Sequence, residues 1–149
     1  MFELSGRTNE KGFTLIEILI VLSVIAILLV VANSMFSSFA RNRNLKEAAG
    51  ALMSDIKLAK QKAMSEGVAY TITINNEDSY TLQNGSPKFL NQYGEGIKIK
   101  QHNFSGNTIN FQPRGTSSMG TIVLQNDRGS EIRIICGQTG RIRSEEKLK

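Results

Sequence analysis

The residues best placed to do chemistry are arginines near the C-terminus. Arg141 and Arg143 lie two positions apart, so in a strand their side chains would share one face, about 6.6 Å apart. That spacing is close to twice the rise per nucleotide in one strand of duplex DNA, about 3.4 Å. Because a guanidinium group offers a planar fork of donors that suits phosphate, the pair predicts a phosphate-binding face. Arg114, Arg128 and Arg133 on neighbouring turns and strands would extend it.

A second interpretation of these arginines stays open. Gly140 and Arg141 are also compatible with a tight turn followed by an exposed edge strand, where basic residues deter aggregation, and nearby carboxylates could neutralise the arginines in weak surface pairs. Those carboxylates are Asp127, Glu131, Glu145 and Glu146. No aromatic residue is interleaved with the arginines, so any DNA contact should be led by phosphate and indifferent to base sequence. Lys88, beside a distant turn, is expected to matter little for such binding.

Few other residue types suggest a catalytic or metal centre. One cysteine, Cys136, excludes an intramolecular disulfide and a multi-cysteine metal site, and one histidine, His102, leaves no His-and-acid pair to activate a serine. Cys136 shares a predicted strand face with Ile132 and Ile134, so we expect it to be buried, with an intermolecular disulfide as the alternative. We therefore expect no enzyme activity, no cofactor, no bound metal and no small-molecule substrate.

One acidic residue interrupts an apolar segment. Residues 18–40 carry no formal charge, and the 20 residues 13–32 would span about 30 Å as a helix, the thickness of a bilayer's hydrocarbon core. This predicts a single transmembrane anchor with a cytoplasmic N-terminus. Glu17 lies inside that run, where a carboxylate is unfavourable unless it is paired. A cut between Gly12 and Phe13 would place a new α-amino group one helical turn from Glu17.

The segment Lys11–Glu17, with the sequence KGFTLIE, resembles the type III signal of type IV pilins and type II secretion pseudopilins. The resemblance implies that a membrane-embedded prepilin peptidase cuts after Gly12 and that the amino group of Phe13 is methylated. It also implies that Glu17 assists docking into a growing filament, where its carboxylate would pair with an incoming α-amino group.

The remaining pattern predicts an α+β fold in which a long N-terminal helix, half transmembrane and half amphipathic, packs on a mostly antiparallel β-sheet head. The 149 residues suffice for one domain, and the net charge of +5 falls after residue 12, because residues 1–12 are neutral. The predicted parts are a leader (1–12), a transmembrane and assembly helix (13–39), an amphipathic helix (40–67) and a β-rich head (68–149).

The amphipathic helix and the strands follow from periodicity. A helical stripe is formed by Leu45, Ala49, Leu52, Ile56, Ala59 and Ala63, and Gly67 would end the helix. The predicted strands are 68–74, 79–83, 97–101, 108–112, 120–125, 131–136 and 140–143, separated by turn residues.

The head resembles the GspH/FimT class of minor pilins and pseudopilins, through FQPRG at 111–115, the strand 121–125 and GRIR at 140–143. Within the class, a Gly-Arg-x-Arg element implies DNA capture during natural transformation, and Gly140, Arg141 and Arg143 match it. The first hypothesis is thus a minor type IV pilin that takes part in pilus assembly and DNA capture. The alternative is a minor pseudopilin of a type II secretion system.

Both hypotheses imply the same setting. The partners would be the membrane, the prepilin peptidase and other pilins or pseudopilins, with DNA as a further partner under the first hypothesis. The chain would cross the bacterial inner membrane once, with its head in the periplasm, before it enters a pilus or pseudopilus.

Overall fold

The computed structural model describes residues 12–149, except for the side chains of residues 31–35. The predicted leader, apart from Gly12, lies outside the described residues. The chain divides into two compact units, Met1–Ser37 and Ser38–Lys149. The division lies close to residue 39, where the first predicted helix half ends.

One helix, α1, runs from Leu15 to Glu66 and confirms the predicted long N-terminal helix. Its apolar residues between Phe13 and Val30 are exposed within the first unit. Among the residues that the structure describes, no helix is both long enough and apolar enough to cross a membrane. The transmembrane half predicted for 13–39 therefore stays a prediction.

The second unit contains eight strands in two antiparallel sheets. The first sheet has the order β3-β2-β1-β5, with β1 Tyr70–Ile74, β2 Ser79–Leu82, β3 Pro87–Phe89 and β5 Thr108–Phe111. The second has the order β4-β6-β7-β8, with β4 Lys98–His102, β6 Gly120–Gln125, β7 Glu131–Cys136 and β8 Ile142–Lys147. Short 3₁₀ helices occupy Leu90–Tyr93 and Ser105–Asn107.

A single core joins the helix to both sheets. Every residue of the predicted helical stripe is buried, and the stripe packs against apolar side chains of the two sheets. The largest fully buried ones are Tyr80, Phe111, Ile72 and Ile109 from the first sheet and Ile122, Leu124 and Ile134 from the second. Gly67 follows the helix with φ +68°, the left-handed conformation that glycine adopts without strain.

Two strands differ from the prediction. The short edge strand β3 was not predicted, because it has three exposed residues and begins with a proline, which is tolerated only at a sheet edge. The strand predicted for 140–143 instead begins at Ile142 and continues to Lys147. Gly140 has φ +70°, which belongs to a turn, and Arg141 lies between that turn and β8. Arg141 and Arg143 are therefore not neighbours on one strand.

Candidate functional site

The residues around the predicted cleavage point form a helix N-terminus. Gly12, Phe13 and Thr14 precede α1, and Phe13 is 86% exposed. Thr14 donates from its backbone nitrogen and its hydroxyl to Glu17 Oε2, at 2.9 and 3.0 Å. Its hydroxyl oxygen accepts a bond from the Glu17 backbone nitrogen at 3.3 Å. This reciprocal arrangement is a capping box, so Glu17 satisfies helix donors as well as carrying a charge.

The turn between β7 and β8 positions the arginine pair. Gly140 donates to the Gly137 carbonyl oxygen, and Gly137 donates to the Arg141 carbonyl oxygen, both at 2.8 Å. A Cβ atom at Gly140 would overlap the carbonyl oxygen of Gly115 and approach the Lys60 ammonium at 2.8 Å. Glycine is therefore required here by its backbone conformation and by close packing.

Three contacts hold this turn in place. Lys60 on α1 donates from Nζ to the Gly140 carbonyl oxygen at 2.9 Å. Ser117, after β5, donates from its backbone nitrogen to the Gln138 carbonyl oxygen at 3.1 Å and from its hydroxyl to the Gly137 carbonyl oxygen at 2.9 Å. The turn is thus fixed from the helix side and from the neighbouring loop.

Arg141 and Arg143 line one concavity even though only Arg143 belongs to β8. The concavity has a volume of about 300 Å³, and Met119 and Ile135 form its apolar walls. Within residues 12–149, no carboxylate lines it. Glu145 lies 3.8 Å from Arg143, with both side chains more than half exposed. Among residues 12–149, no hydrogen bond or ion pair holds the Arg141 guanidinium, which leaves its donors accessible.

The other three predicted arginines separate into different places. Arg114 is exposed in the turn that precedes Gly115, so it lies beside the β7–β8 turn. Arg133 is exposed on β7, where Glu131 lies 3.9 Å away, and it stands opposite Glu145 in register.

Arg128 lies in the turn between β6 and β7, at the opposite end of the second sheet from Arg141. It donates to the Ser38 hydroxyl on α1 and so does not join the arginine pair. Successive turns of a meander alternate between the two ends of a sheet, and six residues of strand separate these ends by about 20 Å.

Charge on the outer face of the second sheet is partly neutralised. Lys100 donates to Glu131 Oε1 at 2.6 Å, and this hydrogen bond lowers the pKa of the Glu131 carboxyl. Glu131 therefore remains ionised, and its negative charge partly neutralises those of Lys100 and Arg133. This part of the face is less suited to an anionic ligand than the end that carries Arg141.

Cys136 is buried beneath the arginine concavity. Only 1% of its surface is exposed, and burial raises the pKa of its thiol to about 11. A protonated, buried thiol is inert. His102 is half-buried, and its Nδ1 has no hydrogen-bond partner within the described part of the chain.

Sequence reasoning missed a polar network in the core. Asp55 on α1 accepts from the Tyr80 hydroxyl at 2.7 Å and from Lys88 Nζ at 2.8 Å to each carboxylate oxygen. Burial, together with Asp55, raises the pKa of Tyr80, which keeps the phenol a donor. Lys88, which is expected to matter little for DNA binding, thus holds the helix to β3 through Asp55. An aspartate beside the apolar stripe was the one signal in the sequence.

Comparison with known proteins gives two family matches. The prokaryotic N-terminal methylation motif matches residues 7–33, and the type II transport protein GspH matches residues 48–140. The second match ends just before Arg141, so β8 lies beyond it. Competence protein ComGD of Bacillus subtilis (strain 168) is 30% identical over 140 residues, which cover 93% of this chain and 96% of that protein.

Two solved structures share the fold. The minor pseudopilin EpsH from the type 2 secretion system of Vibrio cholerae has a TM-score of 0.58 at 13% identity, over 69% of this chain and 97% of that one. The type IV minor pilin FimU of Pseudomonas aeruginosa has a TM-score of 0.52 at 19% identity, over 67% of this chain and 91% of that one.

Proposed function

The chain belongs to the family of the type II transport protein GspH and carries the prokaryotic N-terminal methylation motif, and from this we propose that it is a minor type IV pilin that captures DNA. The family membership makes it a subunit of the pilin and pseudopilin superfamily. The finer role, a FimT-like pilin acting in natural transformation, is the proposal.

Assembly would begin with processing at the N-terminus. We propose that prepilin peptidase cuts between Gly12 and Phe13, that Phe13 is then methylated, and that Glu17 pairs with the α-amino group of a neighbouring subunit. The exposure of Phe13 and the non-helical backbone of 12–14 support access by a peptidase. The exposed apolar side chains of 13–30 need cover, which a membrane and then neighbouring pilin helices would supply.

The proposed setting is the bacterial inner membrane, crossed once, with the head on its outer side. The short polar flank before residue 13, with Arg7 and Lys11, supports a cytoplasmic N-terminus. Other pilins would be the partners within the filament.

The observation that carries the DNA proposal is the shared concavity of Arg141 and Arg143, which no carboxylate of the described residues lines. Guanidinium groups bind phosphate through charge-assisted hydrogen bonds. The similarity to ComGD, a competence protein, also supports a role in DNA capture, since competence is the capacity to take up DNA.

The alternative is a minor pseudopilin of a type II secretion system. The match to GspH and the fold shared with EpsH favour it. In that case the arginines would protect an exposed edge strand, because β8 has a partner on one side only.

A complementation experiment in the producing bacterium separates the two. The gene is deleted and restored either as the parent or as the R141Q/R143Q double variant, and both transformation frequency and secreted protein are measured. The proposal expects the deletion to abolish transformation and the variant to assemble normally but transform poorly. Loss of secreted protein in the deletion, with transformation unchanged, would establish the pseudopilin alternative.

A further inference from the structure

A second basic concavity lies on the helix side of the β7–β8 turn. It has a volume of about 350 Å³ and is lined by Lys57, Lys60, Gln61, Met64, Gly140 and Ile142. No carboxylate from the described part of the chain lines it. Gly140 belongs to the turn that also contributes Gly137 and Arg141 to the arginine concavity, so the two concavities share the turn as a common rim.

The two lysines of this concavity have different environments. Lys60 is half-buried and fixed to the Gly140 carbonyl oxygen, so its charge is held against the turn. Lys57 lies three residues earlier on the same side of α1 and is exposed. Within residues 12–149, the Lys57 ammonium has no hydrogen bond or ion pair. Its charge is available to a ligand.

The carboxylates of β8 do not cancel this charge. Glu145 faces Arg143, and Glu146 is paired at 2.7 Å with Nζ of Lys46, which lies nearer the N-terminus of the helix than Lys57. Asp55, the nearest acidic residue to Lys57 in sequence, is held by Tyr80 and Lys88. The turn is thus bordered by Lys57 and Lys60 on one side and by Arg141 and Arg143 on the other.

We propose that the DNA backbone crosses the β7–β8 turn and that Lys57 contacts a phosphate on the helix side while the arginines contact phosphates on the other side. This inference rests on the proposed function and adds to it a second set of contacts. One arginine concavity could serve two phosphates at most, whereas a backbone that crosses the turn meets at least three cations. Each phosphate neutralised releases counterions, so the number of contacts is measurable as a salt dependence.

The test uses the full chain in a non-ionic detergent and a fluorescent duplex DNA of mixed sequence. Affinity is measured between about 50 and about 200 mM salt for the parent and for the Lys57→Gln, Lys57→Glu and Lys57→Arg variants. The matched control is Lys62→Gln. Lys62 lies on the same part of α1 but faces the first sheet, with its ammonium 5.5 Å from the centre of the Tyr70 ring.

The expected result is that Lys57→Gln weakens binding severalfold and makes the negative slope of log affinity against log salt shallower by about 0.9. Lys57→Glu should weaken binding further, whereas Lys57→Arg and Lys62→Gln should keep the parent's affinity and slope. If the Lys57 variants bind like the parent while R141Q/R143Q does not, the second set of contacts is refuted and the proposed function stands. If the parent itself binds no duplex DNA, the proposed function fails and this inference fails with it.

Discussion

Lys60 donates a hydrogen bond from its ammonium nitrogen to the carbonyl oxygen of Gly140, at 2.9 Å and across 80 positions of sequence. The bond ties the C-terminal part of the amphipathic helix half to the turn that precedes Arg141. Because Ser117 holds the same turn from the other side, the arginine pair is presented by a fixed backbone. A fixed backbone reduces the conformational entropy that is lost when the arginines bind a ligand.

Gly140→Ala should destabilise the head by about 2 kcal/mol or more. The alanine Cβ would overlap the Gly115 carbonyl oxygen, and a non-glycine residue at φ +70° adds about 1 kcal/mol. The matched control is Gly67→Ala, because Gly67 has φ +68° but no atom within 4 Å of the added Cβ. Thermal unfolding of both variants measures the difference, and equal destabilisation would show that close packing at Gly140 is unimportant.

Removing the Asp55 carboxylate should unfold the head more readily than removing the Tyr80 hydroxyl. Asp55→Ala leaves the phenol and Lys88 without their acceptor and should cost about 2–4 kcal/mol, whereas Tyr80→Phe should cost about 1 kcal/mol. Asp78→Ala is the control, because Asp78 is exposed and its side chain accepts no bond in the structure. Chemical denaturation reports the three values, and an Asp55→Ala variant as stable as the control would exclude a structural role for the network.

The sequence predicted those parts of the fold that depend on periodicity. The stripe from Leu45 to Ala63 recurs every three or four residues, so the buried helix face could be assigned. The later part of β8 was not predicted because Ser144, Glu145, Glu146 and Lys147 show no alternation of apolar and polar residues, as expected for a charged edge strand.

The candidate site was predictable in part for a similar reason. Arg141 and Arg143 are close in sequence, so their proximity could be inferred, and a tight turn at Gly140 was one of the two interpretations of this segment. The contacts of Lys60 with Gly140 and of Asp55 with Lys88 join distant segments, and no local pattern encodes them. The placement of Arg128 at the far end of the sheet follows only once the strand order is known.

Processing should follow the residues at the predicted cleavage point. When the chain is expressed with a prepilin peptidase, we expect loss of residues 1–12 and methylation of Phe13, seen in the intact mass. Gly12→Val should block the cut, because a branched side chain would prevent close approach of the peptidase to the backbone. An uncut N-terminus in the parent would show that the chain is not cleaved between Gly12 and Phe13.

Two substitutions at Glu17 separate its charge from its capping role. Glu17→Gln keeps a group that can cap the helix with Thr14, whereas Glu17→Val removes both the charge and the cap. If the charge pairs with an incoming α-amino group, both variants should be processed but excluded from filaments. Immunoblots of sheared filaments measure this, and incorporation of Glu17→Gln at the parent's level would assign Glu17 a capping role alone.

The central claim, that the head binds DNA through Arg141 and Arg143, is tested most directly by titrating the full chain with labelled duplex DNA at low and moderate salt. The control variant R43Q/K98Q removes two charges from exposed positions away from the β7–β8 turn, each in a surface pair. The account predicts weak binding by the parent that falls steeply with salt, a loss of about tenfold or more in R141Q/R143Q, and little change in the control. Equal affinities for the parent and R141Q/R143Q would contradict it.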